Sequence, residues 1–245
     1  MEKIKCGILL AGGSGTRLRP ATLTQNKHLL NILNEQMILF PLRTLKSMGI
    51  EDVLLVTGGN HVGGFTEFLG DGSYYGVNLT YRVQEKAGGI AQALSLAEGF
   101  VANRPMVVVL ADNIFDNKGL PNSVSLSTDK ATLFLKEVPD PQRFGVPVFS
   151  GVEPNERTIL EIEEKPKNPK SSFAVTGLYS YPADVFKVIK DLKPSARGEY
   201  EITDVNNWYV KRGRCIGEIL THFWSDSGTR ESLYTTTRWA FENNK

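Results

Sequence analysis

The chain has 245 residues, enough for one sizeable hydrophobic core or two small ones, and its 28 Lys and Arg are balanced by 27 Asp and Glu. That balance leaves no basic excess to neutralise a nucleic-acid backbone or an anionic membrane. No segment approaches the roughly 18 apolar residues of a membrane span, and Met1–Lys5 runs into an apolar strand without a signal-like core. The expectation is a cytoplasmic protein that takes neither nucleic acid nor membrane as a partner. Its two cysteines, Cys6 and Cys215, lie in apolar runs with neither metal spacing nor a neighbouring His, and are expected as buried, reduced thiols.

In chain order, Cys6–Ala11 has the length and residue types of a strand buried on both faces, and it breaks at Gly12, Gly13 and Gly15. A strand that empties into a loop almost without side chains lets backbone N–H groups approach phosphate oxygens, and Arg17 can add a planar, permanently charged fork. The spacing is not GxxxxGK[ST], and a GxGxxG reading fails because Leu18 stands where the last glycine is needed. On glycines alone, a turn without a ligand explains the stretch about as well. Thr16-Arg17-Leu18 followed by Pro20 and Lys27 favours a nucleotide-phosphate cradle.

Met37, Phe40, Leu42, Leu45 and Met48 recur at near-helical spacing, with Pro41 in the first turn and Gly49 as a stop. Asp52–Thr57 is then a buried strand, and strand, helix, strand implies a right-handed βαβ unit and a parallel sheet. Leu79–Val83 as strand, Ile90–Phe100 as helix and Met106–Leu110 as strand continue the pattern, with Asp112 just beyond the last. Ligands of open α/β sheets collect outside the carboxyl ends of the strands, so the glycine loop, Gln84 and Asp112 are delivered to one edge. From Ala131 the texture changes. Ala131–Val138, Val146–Phe149, Thr158–Ile162 and Phe173–Tyr181 are strand-like, separated by turn residues such as Pro139, Asp140, Gly145 and Asn155. Helices are expected over Asp184–Leu192 and Glu201–Arg212, a strand over Cys215–Leu220 and a last helix over Thr229–Phe241. No linker-like stretch interrupts the chain, so residues 1–245 are read as one domain, with residues to about 130 forming one half and those from about 131 a more mixed second half.

The run Leu9-Leu10-Ala11-Gly12-Gly13-Ser14-Gly15-Thr16-Arg17-Leu18-Arg19-Pro20, with Lys27-His28-Leu29-Leu30 downstream, resembles the sugar-phosphate nucleotidyltransferases, and the likeness extends over nearly the whole chain. The resemblance implies an α/β, Rossmann-like nucleotidyltransferase fold: a mostly parallel central sheet flanked by helices, with a smaller mixed sheet for the sugar. Leu10, Gly12, Gly13, Gly15, Thr16 and Arg17 would meet the nucleotide, and Arg17, Lys27 and Lys165 would be the catalytic cations. Val83–Ala93 corresponds to the base-recognition segment. There a Gln84 amide can pair with a pyrimidine edge, and Gly88 and Gly89 admit a close backbone approach. Asp112, and Asp226 in Trp224-Ser-Asp226-Ser-Gly-Thr229, would hold Mg2+, which favours a few carboxylates plus substrate phosphate oxygens. Taken alone, either aspartate is more often a turn former or helix cap.

Glu161-Ile-Glu163-Glu164-Lys165-Pro166 resembles the sugar-phosphate segment, where Lys165 would take the phosphate and Glu164 the hydroxyls. Gly145, Val175 and Thr203 complete the sugar side in the same way. Asn31, Phe144 and Pro147-Val148 depart from the usual residues at their positions. Within the family the chain is most similar to members that join dTTP to glucose 1-phosphate. The expected reaction needs no general base, because a phosphate monoester is already anionic at neutral pH. UTP in place of dTTP is the alternative; a non-catalytic subunit would be expected to have lost Arg17, Lys27, Asp112, Lys165 or Asp226, and all five are present. Nineteen residues follow Asp226, whereas longer family members continue for several helices that help form a tetramer and a second nucleotide site. A monomer or small homo-oligomer without that second site is expected.

Overall fold

Four strands stand side by side in one direction; three are runs of Val, Ile and Leu buried on both faces, and the fourth, at the edge of the sheet, is largely exposed. They are β1 (Cys6–Ala11), β2 (Asp52–Gly58), β3 (Asn78–Gln84) and β4 (Met106–Leu110), in the order β4-β1-β2-β3. The computed structural model describes residues 4–243 apart from 14 and 152–157. Ala11 pairs with Thr57, Gly58 with Gln84 and Leu10 with Leu110, so the carboxyl ends of these strands lie level. The glycine loop, Gln84 and Asp112 therefore leave the sheet along one edge, as the sequence leads one to expect.

The second half adds β5 (Ala131–Glu137), β6 (Gly145–Ser150), β7 (Thr158–Glu164), β8 (Phe173–Tyr181) and β9 (Cys215–Ile219). All nine residues of β8 are buried, and the strand serves three neighbours. Leu178–Tyr181 run antiparallel to β4, Phe173–Val175 and Tyr179–Ser180 pair with β5, and Val175 pairs with Gly145 of β6. Its ladder is interrupted between Val175 and Tyr179, which frees Thr176 and Gly177 for other partners. β7 is antiparallel to β6, and β9 is parallel to β5 at the edge. The smaller mixed part is thus continuous with the parallel part in one nine-stranded sheet.

Alternate residues of β1 feed opposite cores. Ile8 and Leu10 pack with residues of α3 (Ile90–Ser95), α5 (Val185–Lys190) and α6 (Ile202–Val210), whereas Leu9 and Ala11 pack with residues of α1 (Leu39–Ser47) and α2 (Val62–Leu69). α4 (Glu98–Val101) follows α3, and α7 (Arg230–Asn243) closes the described chain.

Most expected boundaries hold to within one or two residues, and Met106–Leu110 and Phe173–Tyr181 hold at both ends. Helix α2 was not expected. It buries only Phe65 and Leu69, and Gly63 and Gly64 in its first turn lower the helical propensity of the segment. The single helix expected over Ile90–Phe100 is two short ones, α3 and α4, for after Ser95 the Leu96 and Ala97 N–H groups donate three residues back, to the Ala93 and Leu94 carbonyls at 3.3 and 2.9 Å. Cys6 is buried as expected, but Cys215, at the start of edge strand β9, is half-buried, and neither is in a disulfide. The expected turn at Asn155 and Ser14 of the glycine loop lie outside the described residues. Among the described residues no helix is long and apolar enough to cross a membrane.

Candidate active site

A groove of about 590 Å³ opens at the carboxyl edge of the parallel strands. Leu10, Gly12, Gly13, Arg17, Lys27, Gln84, Gly89 and Asp112 line it from the first half of the chain. Gly145, Glu164, Lys165, Val175, Thr203 and Asp226 line it from the second. Gly15, Thr16 and Gly88 are not on its wall. Gly15, at φ 61°, packs against Thr22, whose hydroxyl donates to its carbonyl at 2.7 Å, and Thr16 opens the short 3-10 turn that carries Arg17. Gly88 faces the Gln92 side chain.

At the end formed by the first half of the chain, the Gln84 amide is buried and lies over Gly12, where a Cβ would come within 2.8 Å of its Oε1. The Gln84 Nε2 donates to Gln92 Oε1 at 2.5 Å, which fixes the direction of the amide.

In the centre, Lys27 Nζ donates to Asp112 Oδ2. Burial alone would push the Asp112 carboxyl up. Lys27 and His28, with hydrogen bonds from Lys27 and Asn113, outweigh it and hold the group at about 2. Asp226 accepts from Arg143 at 2.8 Å, yet its pKa is raised, chiefly by burial and further by the facing charge of Asp112, against the pull of Arg143. A Cβ on Gly228 would sit 3.4 Å from Asp112 Oδ2 and 3.3 Å from the Arg17 guanidinium, so the Asp226–Gly228 backbone closes over both. Two carboxylates that sense one another offer hard oxygen donors and suit a hard divalent cation. No cluster of three or more His, Cys, Asp or Glu with metal-holding placement occurs among the described residues. A cation here would take its remaining ligands from phosphate and water.

At the far end, Thr203 Oγ1 donates to Glu164 Oε2 at 2.6 Å, while Glu164 Oε1 lies 3.1 Å from Lys165 Nζ. Lys165 has φ 47°, in the left-handed region, and its N–H donates to the Phe144 carbonyl at 2.9 Å. Such a conformation costs a non-glycine residue about 1–3 kcal/mol, a cost that surrounding structure must offset.

Several lining residues were given no role by sequence reasoning. Arg143 bridges Asp226 and Asp140 at 2.8 Å each and stacks on Phe144. Arg197 is gathered among Glu164, Glu199 and Glu201. Buried Asn113 donates to Asp112 at 3.0 Å and accepts from the Gly177 N–H and the Trp224 indole, each at 2.8 Å. His28, also buried, donates from Nδ1 to Asn26 Oδ1 at 2.7 Å, and its pKa is pushed down to about 3 by burial and by Lys27. The pairings of Arg143 with Asp226, of Arg197 with Glu164 and of Asn113 with Gly177 and Trp224 span too much of the chain for spacing to reveal.

Fold and groove together are those of an α/β protein with a cleft of mixed cations and carboxylates at the end of its parallel strands. Residues 6–242 match the nucleotidyl transferase family, and the chain belongs to it. It is 43% identical over 233 residues to a glucose-1-phosphate thymidylyltransferase of Neisseria meningitidis, covering 93% of this chain and 80% of that protein. It is also 43% identical over 231 residues to one of Mycobacterium tuberculosis, covering 93% and 79%. A Bacillus anthracis protein crystallised with sucrose, provisionally described as a glucose-1-phosphate thymidylyltransferase, is 47% identical. It superposes with a TM-score of 0.88 over 99% of this chain and 97% of that one. A UDP-glucose pyrophosphorylase complexed with UDP-glucose is 24% identical with a TM-score of 0.87 over 98% and 99% of the two chains, and shares the fold.

Proposed function

We propose that this chain transfers a deoxythymidylyl group from dTTP to α-D-glucose 1-phosphate, giving dTDP-glucose and pyrophosphate. The observation that carries the reading is one groove walled by the glycine loop with Arg17 and Lys27 at one end and by Glu164 and Lys165 at the other, with Asp112 and Asp226 between them. The similarity to thymidylyltransferases over 93% of the chain supports the choice of substrates. Residues to about 130 would take the nucleotide and those from 131 the sugar phosphate, as two halves of a single domain. A cytoplasmic monomer or small homo-oligomer is the form we assign to it.

In this reading Gln84 pairs with the base, and Gly12 and Gly13 bring main-chain N–H groups to the triphosphate. Arg17 and Lys27 neutralise the charge that builds on the leaving pyrophosphate. Lys165 draws the sugar phosphate into line with the attacked phosphorus, and Glu164, held by Thr203, takes sugar hydroxyls together with the backbone at Gly145 and Val175. Asp112 and Asp226 would hold Mg2+, which supplies charge neutralisation at the reacting phosphates. No residue need accept a proton, since the nucleophile is a phosphate oxygen.

Pyrophosphate release from a panel of nucleoside triphosphates crossed with sugar 1-phosphates, in buffer containing Mg2+, tests the reading. Turnover is expected to be fastest with dTTP and glucose 1-phosphate. Faster turnover with UTP would change the nucleotide, and turnover with no pair would remove the enzyme reading.

A further inference from the structure

The turn between β3 and α3 borders the groove and also touches its opposite wall. Gly89 lies at φ 96° and ψ 172°, a conformation that L side chains rarely adopt. It bends the chain so that main-chain groups on either side of it face Tyr200. The Tyr200 N–H donates to the Gly88 carbonyl at 2.8 Å, and the Ala91 N–H donates to the Tyr200 carbonyl at 3.1 Å. A Cβ on Gly89 would fall 2.5 Å from the Tyr200 carbonyl oxygen and 2.9 Å from its nitrogen. Main-chain atoms cannot swing aside as the tip of a side chain can.

Tyr200 leads directly into the residues of the sugar end. Glu201 Oε1 accepts from the Ser195 hydroxyl at 2.7 Å and from Arg197 at 2.9 Å. Arg197 lies 3.5 Å from Glu164, and Thr203 donates to the other oxygen of that carboxylate. Glu164, Arg197, Glu201 and Thr203 all line the groove. We propose that Gly89 is a positioning residue for the sugar-phosphate end: by docking the Tyr200 main chain it fixes the 195–203 segment, and so couples the nucleotide end of the groove to Arg197, Glu201 and Thr203. This rests on the nucleotidyltransferase reading of the groove. Coupling of this kind is reciprocal, so the factor by which one substrate changes the affinity for the other is the same in both directions.

Two variants disrupt the contact by different routes. Gly89→Ala places a Cβ against Tyr200. Ala91→Pro deletes the N–H given to the Tyr200 carbonyl, a first-turn N–H of α3 that has no acceptor within the helix. At saturating dTTP, both are expected to raise the KM for glucose 1-phosphate roughly fivefold or more. Gln84→Ala, which acts at the nucleotide end, is expected to raise the KM for dTTP and leave that for glucose 1-phosphate within roughly twofold. Circular dichroism establishes which variants fold; if Gly89→Ala does not, Ala91→Pro carries the test, and loss of folding in both makes the contact a fold contact and overturns the proposal. An unchanged KM for glucose 1-phosphate in a folded variant overturns it as well. Wild-type inactivity with every triphosphate and sugar 1-phosphate would instead remove the reading of the groove, and the coupling with it.

Discussion

His28 follows Lys27 in the chain and is buried where an extra positive charge is not tolerated. Its folded pKa of about 3 lies below the ordinary 6.5. Between those values the unfolded chain binds a proton that the folded protein refuses, so stability falls as the pH drops from about 6.5 toward 3. The loss is at most on the order of 5 kcal/mol across the window. Asp112 is depressed as well, to about 2 from 3.8, and its contribution is lost only as the pH falls through that lower range. Thermal unfolding between pH 7 and 4 should therefore slope steeply for the wild type and much less for His28→Gln, which keeps an N–H for Asn26. Parallel slopes would show that other groups carry the acid sensitivity. Sequence alone placed Lys27 in the site because its type and distance from the glycine loop matched a known pattern. It was silent on His28, whose meaning depends on burial rather than spacing.

Beyond the ladder that pairs β4 with Leu178–Tyr181, one amide ties the turn after β4 to the interrupted middle of β8. Asn113 meets Gly177 across the break in the ladder and also the Trp224 indole, while its own N–H orients Asp112. A Cβ on Gly177 would fall within 2.6–2.7 Å of the Asn113 amide, so that strand position has room only for glycine. Asn113→Ala would leave two buried donors unpaired, at about 1–3 kcal/mol each. A loss of roughly 2–4 kcal/mol is expected in urea unfolding; less than about 1 kcal/mol would mean that the amide does not tie the turn to β8. The strands themselves were legible, because runs of Val, Ile and Leu between Pro, Gly and Asp fix both type and length. The break in β8 was not: Val175-Thr176-Gly177 reads as uninterrupted strand until Asn113 is brought beside it. Helix α2 escaped for the opposite reason, since its two glycines argue against the helix that packing nonetheless selects.

Across the whole molecule the groove takes one wall from the parallel strands, which we assign to the nucleotide, and the other from β6, β7, β8 and α6, which we assign to the sugar phosphate. This division predicts separable defects. Lys165→Ala should chiefly raise the KM for glucose 1-phosphate, and Gln84→Ala that for dTTP, by roughly tenfold or more if each contact forms in the ground state. Steady-state kinetics with each substrate varied in turn decides it, and swapped effects would reverse the orientation of the substrates. The edge where these walls meet was foreseeable from strand order, because parallel strands send their following loops the same way. The pairings across it were not. Arg143 with Asp226 and Gly89 with Tyr200 join residues that only the folded sheet brings near.

The position of β8 also sets a timetable for synthesis. β1 to β4 are complete once Leu110 is made, but the open side of β4 waits for Phe173–Tyr181, about sixty residues later. At about 5–20 residues per second, a growing chain shows that apolar edge for roughly three to twelve seconds. An unpaired edge of this kind is a template for another chain. Ribosome-bound intermediates stalled before Phe173 should accordingly recruit chaperones that those stalled well past Tyr181 do not, as crosslinking would reveal. Translation speed between Ala111 and Phe173, rather than the stability of the finished protein, would then govern how much of it is recovered in native form.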